Sequence, residues 1–251
     1  MSAISFSKVT KVYRRSHLGR TTLIPGLNNL TLDIREGEIF GLLGLNGAGK
    51  TTTMKLVLGL LFPTSGTLNL FGQDPETSEA KKLLGYLPEL PYFYSYLTPL
   101  EALRFYGSLS QMDPRSLKKR IEEVLVDVGL LVHRSKRVSE FSKGMLQRLG
   151  LAQAILHHPK LIILDEPVSG LDPLAIKEIR DLMTQVNQTG TTILLSSHSI
   201  SEVEKICHRV GILVQGKLTR VLEQQDWSSE QGKLEQIFVE TVKSESRQKQ
   251  T

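Results

Sequence analysis

The sequence of 251 residues has one cysteine, Cys207, and one tryptophan, Trp227, and its aromatic content is 6%. A lone cysteine excludes an internal disulfide framework and fits a reducing compartment. Long apolar runs are missing: residues 161–164 and 193–195 are far shorter than the roughly 20 apolar residues that a spanning helix needs. Met1 to Val12 alternates apolar and polar residues without a basic-then-apolar leader, so no secretory signal is expected and a cytoplasmic location is. Basic residues exceed acidic ones only by 31 to 26. They fall in short clusters (Arg14 and Arg15, 118–120, 134–137) without interleaved aromatics, and no nucleic-acid partner is expected. There is no internal repeat of the Gly-rich motif described below and no low-complexity segment. Hydrophobic residues at 40% and charged residues at 23% are ordinary for a globular protein.

Residues 4–9 and 30–34 alternate with the period of half-buried strands, and 39–45 is a nearly continuous apolar run, as in a strand buried on both faces. The pattern is helical over 50–61, breaks at 63–66 and alternates again over 67–71. From 88 to 158 it is mainly helical. Thr98-Pro99 opens a helix through 109, Asp113-Pro114 a second through 128 that closes near Gly129, and Ser142 caps a third. Residues 161–164 and 191–196 read as buried strands, joined by a helix from Asp172-Pro173 to about 188. A short helix follows over 199–207. Residues 210–214 and 218–222 flank a Gln215-Gly216-Lys217 turn as a hairpin. Residues 234–242 read as an amphipathic helix and 244–251 as a polar, frayed tail. Strands alternating with helices predict an α/β fold with a mostly parallel central sheet.

Gly44-Leu45-Asn46-Gly47-Ala48-Gly49-Lys50-Thr51 has the P-loop pattern and lies between a buried strand and a helix. Glycines let the backbone turn tightly around a phosphate chain with N–H groups pointing inward, and the helix adds its positive end. Lys50 can reach β- and γ-phosphates, and the Thr51 hydroxyl can ligate Mg²⁺. Residues 161–164 deliver Asp165 and Glu166 at the carboxyl end of a strand, where doubly wound sheets bind ligands. Asp165 suits Mg²⁺ through water; Glu166 suits activation of the attacking water.

Between these motifs, Phe141-Ser142-Lys143-Gly144-Met145-Leu146-Gln147-Arg148 stands 23 residues before Asp165. With it, residues 4–222 resemble the ATP-binding subunit of an ATP-binding-cassette (ABC) transporter, most closely the exporter type with separate permeases. The resemblance implies a P-loop NTPase core, an antiparallel β subdomain and a helical subdomain at about 88–158, all within 1–222. Residues 223–251 are then a C-terminal extension with a short helix. It implies ATP and Mg²⁺ as cofactors, with Gly44, Asn46, Gly47, Ala48, Gly49, Lys50, Thr51 and Thr52 around the phosphates. Glu166 is the expected base, Lys50 and His198 the expected γ-phosphate contacts. Ser142, Lys143 and Gly144 would meet the nucleotide of a second copy, or of a paralogue, in a head-to-tail dimer. Tyr13 matches the adenine-stacking aromatic, or is an ordinary half-buried strand aromatic. Asp172 lies near the dimer partner, caps its helix, or does both.

Two positions depart from the family pattern. Glu89 follows Gly85-Tyr86-Leu87-Pro88 where a glutamine is usual; it binds metal or serves the contact with the membrane partner. Met145 stands where the family's Leu-Ser-Gly-Gly-Gln has glutamine. The resemblance further implies a transmembrane permease partner, a place on the cytoplasmic face of the membrane, and export. Its contact would fall on Glu89 and a helical segment over 91–109, rich in Tyr92, Phe93, Tyr94 and Tyr96, unless that segment is simply packed subdomain. Two rival readings remain: a soluble ABC ATPase without membrane partner, disfavoured by one P-loop and by Ser142 standing only 92 positions after Lys50, and a non-hydrolytic regulatory module, disfavoured by the retained Lys50, Asp165, Glu166 and His198.

Overall fold

The computed structural model describes residues 1–17 and 20–247. The chain forms two compact units, one from residues 1–81 together with the chain from Leu194 onward, the other Lys82–Ile193. Along the first part run β1 (Ser2–His17), β2 (Arg20–Arg35), β3 (Ile39–Leu43), α1 (Lys50–Val57), β4 (Ser65–Leu70) and α2 (Ser78–Lys82). The second unit holds β5 (Leu84–Leu87), α3 (Pro99–Leu109), α4 (Pro114–Asp127), α5 (Lys143–Ile155), β6 (Leu161–Asp165) and α6 (Pro173–Gln188). Next come β7 (Thr192–Ser197), α7 (Ile200–Ile206), β8 (Arg209–Val214), β9 (Lys217–Glu223) and α8 (Lys233–Arg247). A mixed α/β architecture with parallel strands, an antiparallel sheet and helices is what the sequence predicts.

In the first unit β1 lies between β2 and β4, antiparallel to both. Ile4 and Phe6 of β1, Leu30, Leu32 and Ile34 of β2, and Leu68 and Leu70 of β4 are all buried. Period-two alternation thus puts one apolar face inward, each side chain contributing about 1.5–3 kcal/mol of transfer free energy. The other strands of this unit follow the order β7, β3, β8, β9. β3 is buried at all five positions and pairs parallel with β8 from Phe40–Arg209 to Leu43–Ile212. β9 returns antiparallel through a two-residue turn in which Gln215 and Gly216 both have positive φ, 48° and 81°. Trp227, 1% exposed, donates from Nε1 to the Glu204 carbonyl at 3.3 Å and anchors the chain ahead of α8.

Helix ends in the second unit follow the capping chemistry written in the sequence. Thr98 accepts from the Glu101 N–H at 3.3 Å while Glu101 Oε2 accepts from the Thr98 N–H at 2.8 Å, with Pro99 opening the helix. Asp113 accepts from Arg115 and Ser116 N–H at 3.0 Å. Leu117, Ile121, Val124 and Leu125 then form the buried stripe of α4 at helical spacing. β5 and β6 pair parallel, Leu84 with Leu161 through Leu87 with Leu164. α5 lies against β5 so closely that a Cβ on Gly85 would stand 2.1 Å from the Ala154 carbonyl oxygen.

Several boundaries differ from the sequence reading. α1 ends at Val57 rather than 61, because Gly59 takes φ 63° and closes the helix: Gly59 N–H donates to Leu56 O at 3.0 Å and Leu60 N–H to Lys55 O at 2.9 Å. β3 stops at Leu43, two residues early, as the glycine loop begins. Residues 91–98 are not helical; the Pro99 ring fits a first helical turn, and the chain before it is extended or turned. Phe93 in that segment is 5% exposed, not a surface aromatic. α8 continues through Arg247, so 244–247 are helix and not a frayed tail, and 248–251 lie outside the described residues. The sequence reading assigned neither α2 nor β5.

Replacing Gly85 by alanine should force β5 and α5 apart. A loss of about 1–3 kcal/mol in urea unfolding is expected, and an unchanged midpoint would contradict the close approach. Cys207 is fully buried, and burial followed by the Glu38 charge pushes its thiol above the ordinary range. A thiol reagent should therefore read no reactive thiol in the folded chain and one after denaturation.

Candidate functional site

The first unit carries the phosphate loop. β3 delivers Gly44, the loop runs to Gly49, and α1 starts at Lys50. Gly47 and Gly49 hold φ of 78° and 110°, a region that L side chains avoid. A Cβ on Gly49 would also meet the Gly26 carbonyl at 2.9 Å. Leu45, Asn46 and Gly47 are exposed at the loop's outer edge, while Ala48 is buried. The loop is braced from behind by the β8–β9 turn: Gly216 N–H donates to Ala48 O at 2.9 Å, and Gly216 O accepts from Asn28 N–H at 2.8 Å. Lys50 is 8% exposed, and its Nζ donates to the Gly44 carbonyl at 2.6 Å. Its ammonium is thus held across the loop that carries it.

Thr51 is exposed on the first turn of α1. Thr52 Oγ1 lies 3.1 Å from the Tyr13 hydroxyl, which ties the strand aromatic to the phosphate-loop helix. Tyr13 is half-buried, with Lys11 Nζ 5.7 Å from its ring centre. His198 is exposed in the turn between β7 and α7, where the Ser199 N–H donates to Ser197 Oγ at 2.9 Å.

The second unit gathers the remaining positions. Asp165 ends β6, and Glu166 follows with φ 49°, a left-handed conformation for a non-glycine residue. Such strain costs of order 1–2 kcal/mol and persists only where the surroundings fix it. Both carboxylates are partly exposed. Burial, and then the Asp165 charge, raise the Tyr86 phenol above its ordinary range. Ser142 caps α5, accepting from the Met145 N–H at 3.3 Å, and Asp172 caps α6, accepting from the Ala175 N–H at 2.9 Å.

These two helix starts lie together. A Cβ on Gly144 would stand 3.3 Å from that of Ala175, and one on Gly170 2.5 Å from Lys143 Nζ. Arg148 pairs with Glu178 at 3.6 Å further along the same two helices. Glu89 is exposed and accepts from Ser169 Oγ at 3.5 Å. The second unit therefore brings Ser142, Lys143 and Gly144 beside the segment that ends in Asp172, and joins Glu89 to that segment's Ser169. The sequence reading gave no role to Ser169, which it placed only within the family-like segment 167–172 that ends in Asp172, and none to the bracing by Gly216, which a turn signal marked. Among the described residues no group of three or more His, Cys, Asp and Glu side chains gathers in metal-binding fashion, and no helix is long and apolar enough to cross a membrane.

The ABC transporter family model matches residues 27–169, a span that includes the phosphate loop, Ser142–Gly144 and Asp165–Glu166. An ABC transporter ATP-binding protein of Nostoc sp. is 44% identical over 219 residues, 86% of this chain and 65% of the relative. The bacitracin transport ATP-binding protein BcrA of Enterococcus faecalis is 43% identical over 220 residues, 86% of this chain and 67% of that one. A solved ATP-binding subunit of an ABC transporter superposes with a TM-score of 0.80 at 29% identity, covering 96% of this chain and all of the other. The chain belongs to the ABC transporter family. It spans 60–65% of the length of the first curated relatives it matches.

The left-handed backbone at residue 166 has a measurable signature. Glu166→Gly and Glu166→Ala both remove the carboxylate, yet the glycine variant should be the more stable by about 1 kcal/mol in urea unfolding. The opposite ranking would show that residue 166 is not held at positive φ.

Proposed function

We propose that the chain is the ATP-hydrolysing subunit of a membrane transporter, driving export through a permease partner. The observation that carries this reading is the Lys50 ammonium, buried over a loop whose glycines free its amides for a phosphate chain. Lys50 neutralises the β- and γ-phosphates, and Asn46, Gly47, Ala48, Gly49 and Thr52 line them. Tyr13 stacks on the adenine, steadied by Thr52. Glu166 orients and deprotonates water, and His198 contacts the γ-phosphate. The Thr51 hydroxyl and the Asp165 carboxylate are oxygen donors of the kind a hard cation prefers, so Mg²⁺ fits this set. When bound, Mg²⁺ neutralises phosphate charge. Glu89 is a further oxygen donor of that set.

Ser142, Lys143 and Gly144 meet the nucleotide of a second copy or paralogue, with Asp172 near the partner. A helix N-terminus and a lysine favour an anion there. In this reading the terminal phosphate holds two subunits closed, and its loss lets them open. Residues 1–222 act as the cassette and 223–251 as its extension, on the cytoplasmic face of the membrane. Transport is what the name of the bacitracin transport relative supports, and the export direction rests on the resemblance to exporter-type ATPases.

The permease contact falls on the loop from Glu89 to Tyr96. Tyr92 is 81% and Tyr96 66% exposed, while Phe93 packs edge-on against Tyr106 at 5.8 Å and anchors the loop.

Sizing and turnover test the proposal together. Lys50→Ala should lose ATP hydrolysis. Glu166→Gln should lose turnover by at least about a hundredfold yet form dimers under saturating Mg-ATP. Turnover that survives Glu166→Gln, or a variant that stays monomeric with nucleotide, would overturn it. Paired Tyr92→Glu and Tyr96→Glu changes should leave the isolated subunit's hydrolysis intact and abolish transport with the permease.

A further inference from the structure

The first 32 residues contain five basic side chains (Lys8, Lys11, Arg14, Arg15 and Arg20) and no Asp or Glu. Subtracting those five from the 31 basic residues leaves 26 against 26 acidic ones in the rest of the chain. The whole net charge of +5 therefore sits in the segment that forms β1 and most of β2. The β1–β4 ladder ends at Thr10–Ser65, whereas the β1–β2 ladder continues to His17–Arg20. Lys11, Val12 and Tyr13 still bond to Phe62, Thr64 and Thr52; beyond Tyr13 the two strands form a ribbon of their own, roughly 13 Å long at the usual rise per residue.

Arg14 and Arg15 are both exposed on this ribbon, and among the described residues neither forms an ion pair. Adjacent strand positions point to opposite faces, so the ribbon carries a cation on each. Register adds an aliphatic to each face: Leu23 lies opposite Arg14, and Ile24 lies opposite Tyr13, on the face that Arg15 shares. Leu23 is 61% and Ile24 43% exposed.

We infer that the β1–β2 ribbon is an arm that docks on an anionic lipid bilayer. Cations on both faces, with an aliphatic beside each, suit an element dipping edge-on into headgroups, where every direction presents phosphate and the acyl boundary receives apolar side chains. A nucleic acid would use a one-sided basic stripe with aromatics for stacking, and Leu23 and Ile24 would serve no purpose there. The contact is independent of any permease, since the chain itself carries both the charge and the apolar groups.

The test is flotation of the full chain with vesicles of phosphatidylcholine alone and of phosphatidylcholine mixed with phosphatidylglycerol. Binding to the anionic vesicles, weakened by added salt, is expected. Each arginine near such a surface is worth about fivefold in partition, so Arg14→Thr with Arg15→Thr should weaken binding about thirtyfold at an unchanged unfolding midpoint. Leu23→Ser with Ile24→Ser should remove the part of the binding that resists salt. Equal recovery on neutral and anionic vesicles, wild-type binding by both double variants, or displacement from anionic vesicles by double-stranded DNA at matched charge would each overturn the inference. None of these readouts involves ATP, so failure here is separable from failure of the proposed hydrolysis.

Discussion

A positive charge held inside a loop of its own backbone organises the first unit. The Lys50 ammonium is nearly closed off from water, and the Gly44 carbonyl partly replaces the lost hydration. A buried cation of this kind is costly unless something anionic completes its surroundings. The loop adds freed amides and a helix start, which favour an anion just as the lysine does; its glycines sit at positive φ, and the β8–β9 turn buttresses it at Ala48. Strand β3, buried along its whole length, fixes where the loop begins.

The second unit uses another device: side-chain caps at helix starts. Ser142 and Asp172 open their helices by accepting hydrogen bonds on their own side-chain oxygens. The remaining amides of those first turns, with Lys143 close by, keep the local field positive. At the end of β6 stand Asp165 and Glu166, the latter in a backbone conformation that only a well-determined packing maintains.

Much of this was legible in the residues. Buried strands showed in the runs at 39–45, 161–164 and 191–196, because a strand covered on both faces has no polar period. Caps showed as Thr98-Pro99, Asp113-Pro114, Ser142 and Asp172-Pro173, because capping is chemistry between neighbours in sequence. The misses have equally physical reasons. β5 is four residues long and includes a glycine that exists for contact with Ala154, so its pattern says little. The extended ribbon of β1 and β2 is polar and basic, and its strands are held by pairing that no periodicity reveals. Residues 91–98 read as part of a helix, yet only Phe93 among their aromatics is buried while Tyr92, Tyr94 and Tyr96 are exposed, and the chain there is irregular and then turned. The bond between Tyr13 and Thr52 links positions 39 apart and leaves no local trace.

The absence of a side chain at Gly85 has a mechanical meaning. With α5 seated on the bare backbone of β5, and Gly150 of the same helix facing Leu87 and Pro91 at similarly short range, helix and strand interlock like teeth. β5 is in turn laddered to β6. The cap at the head of α5 and the carboxylates at the tip of β6 are therefore coupled through a stiff linkage. A push on either end is transmitted as displacement of the whole block, with little give to absorb it.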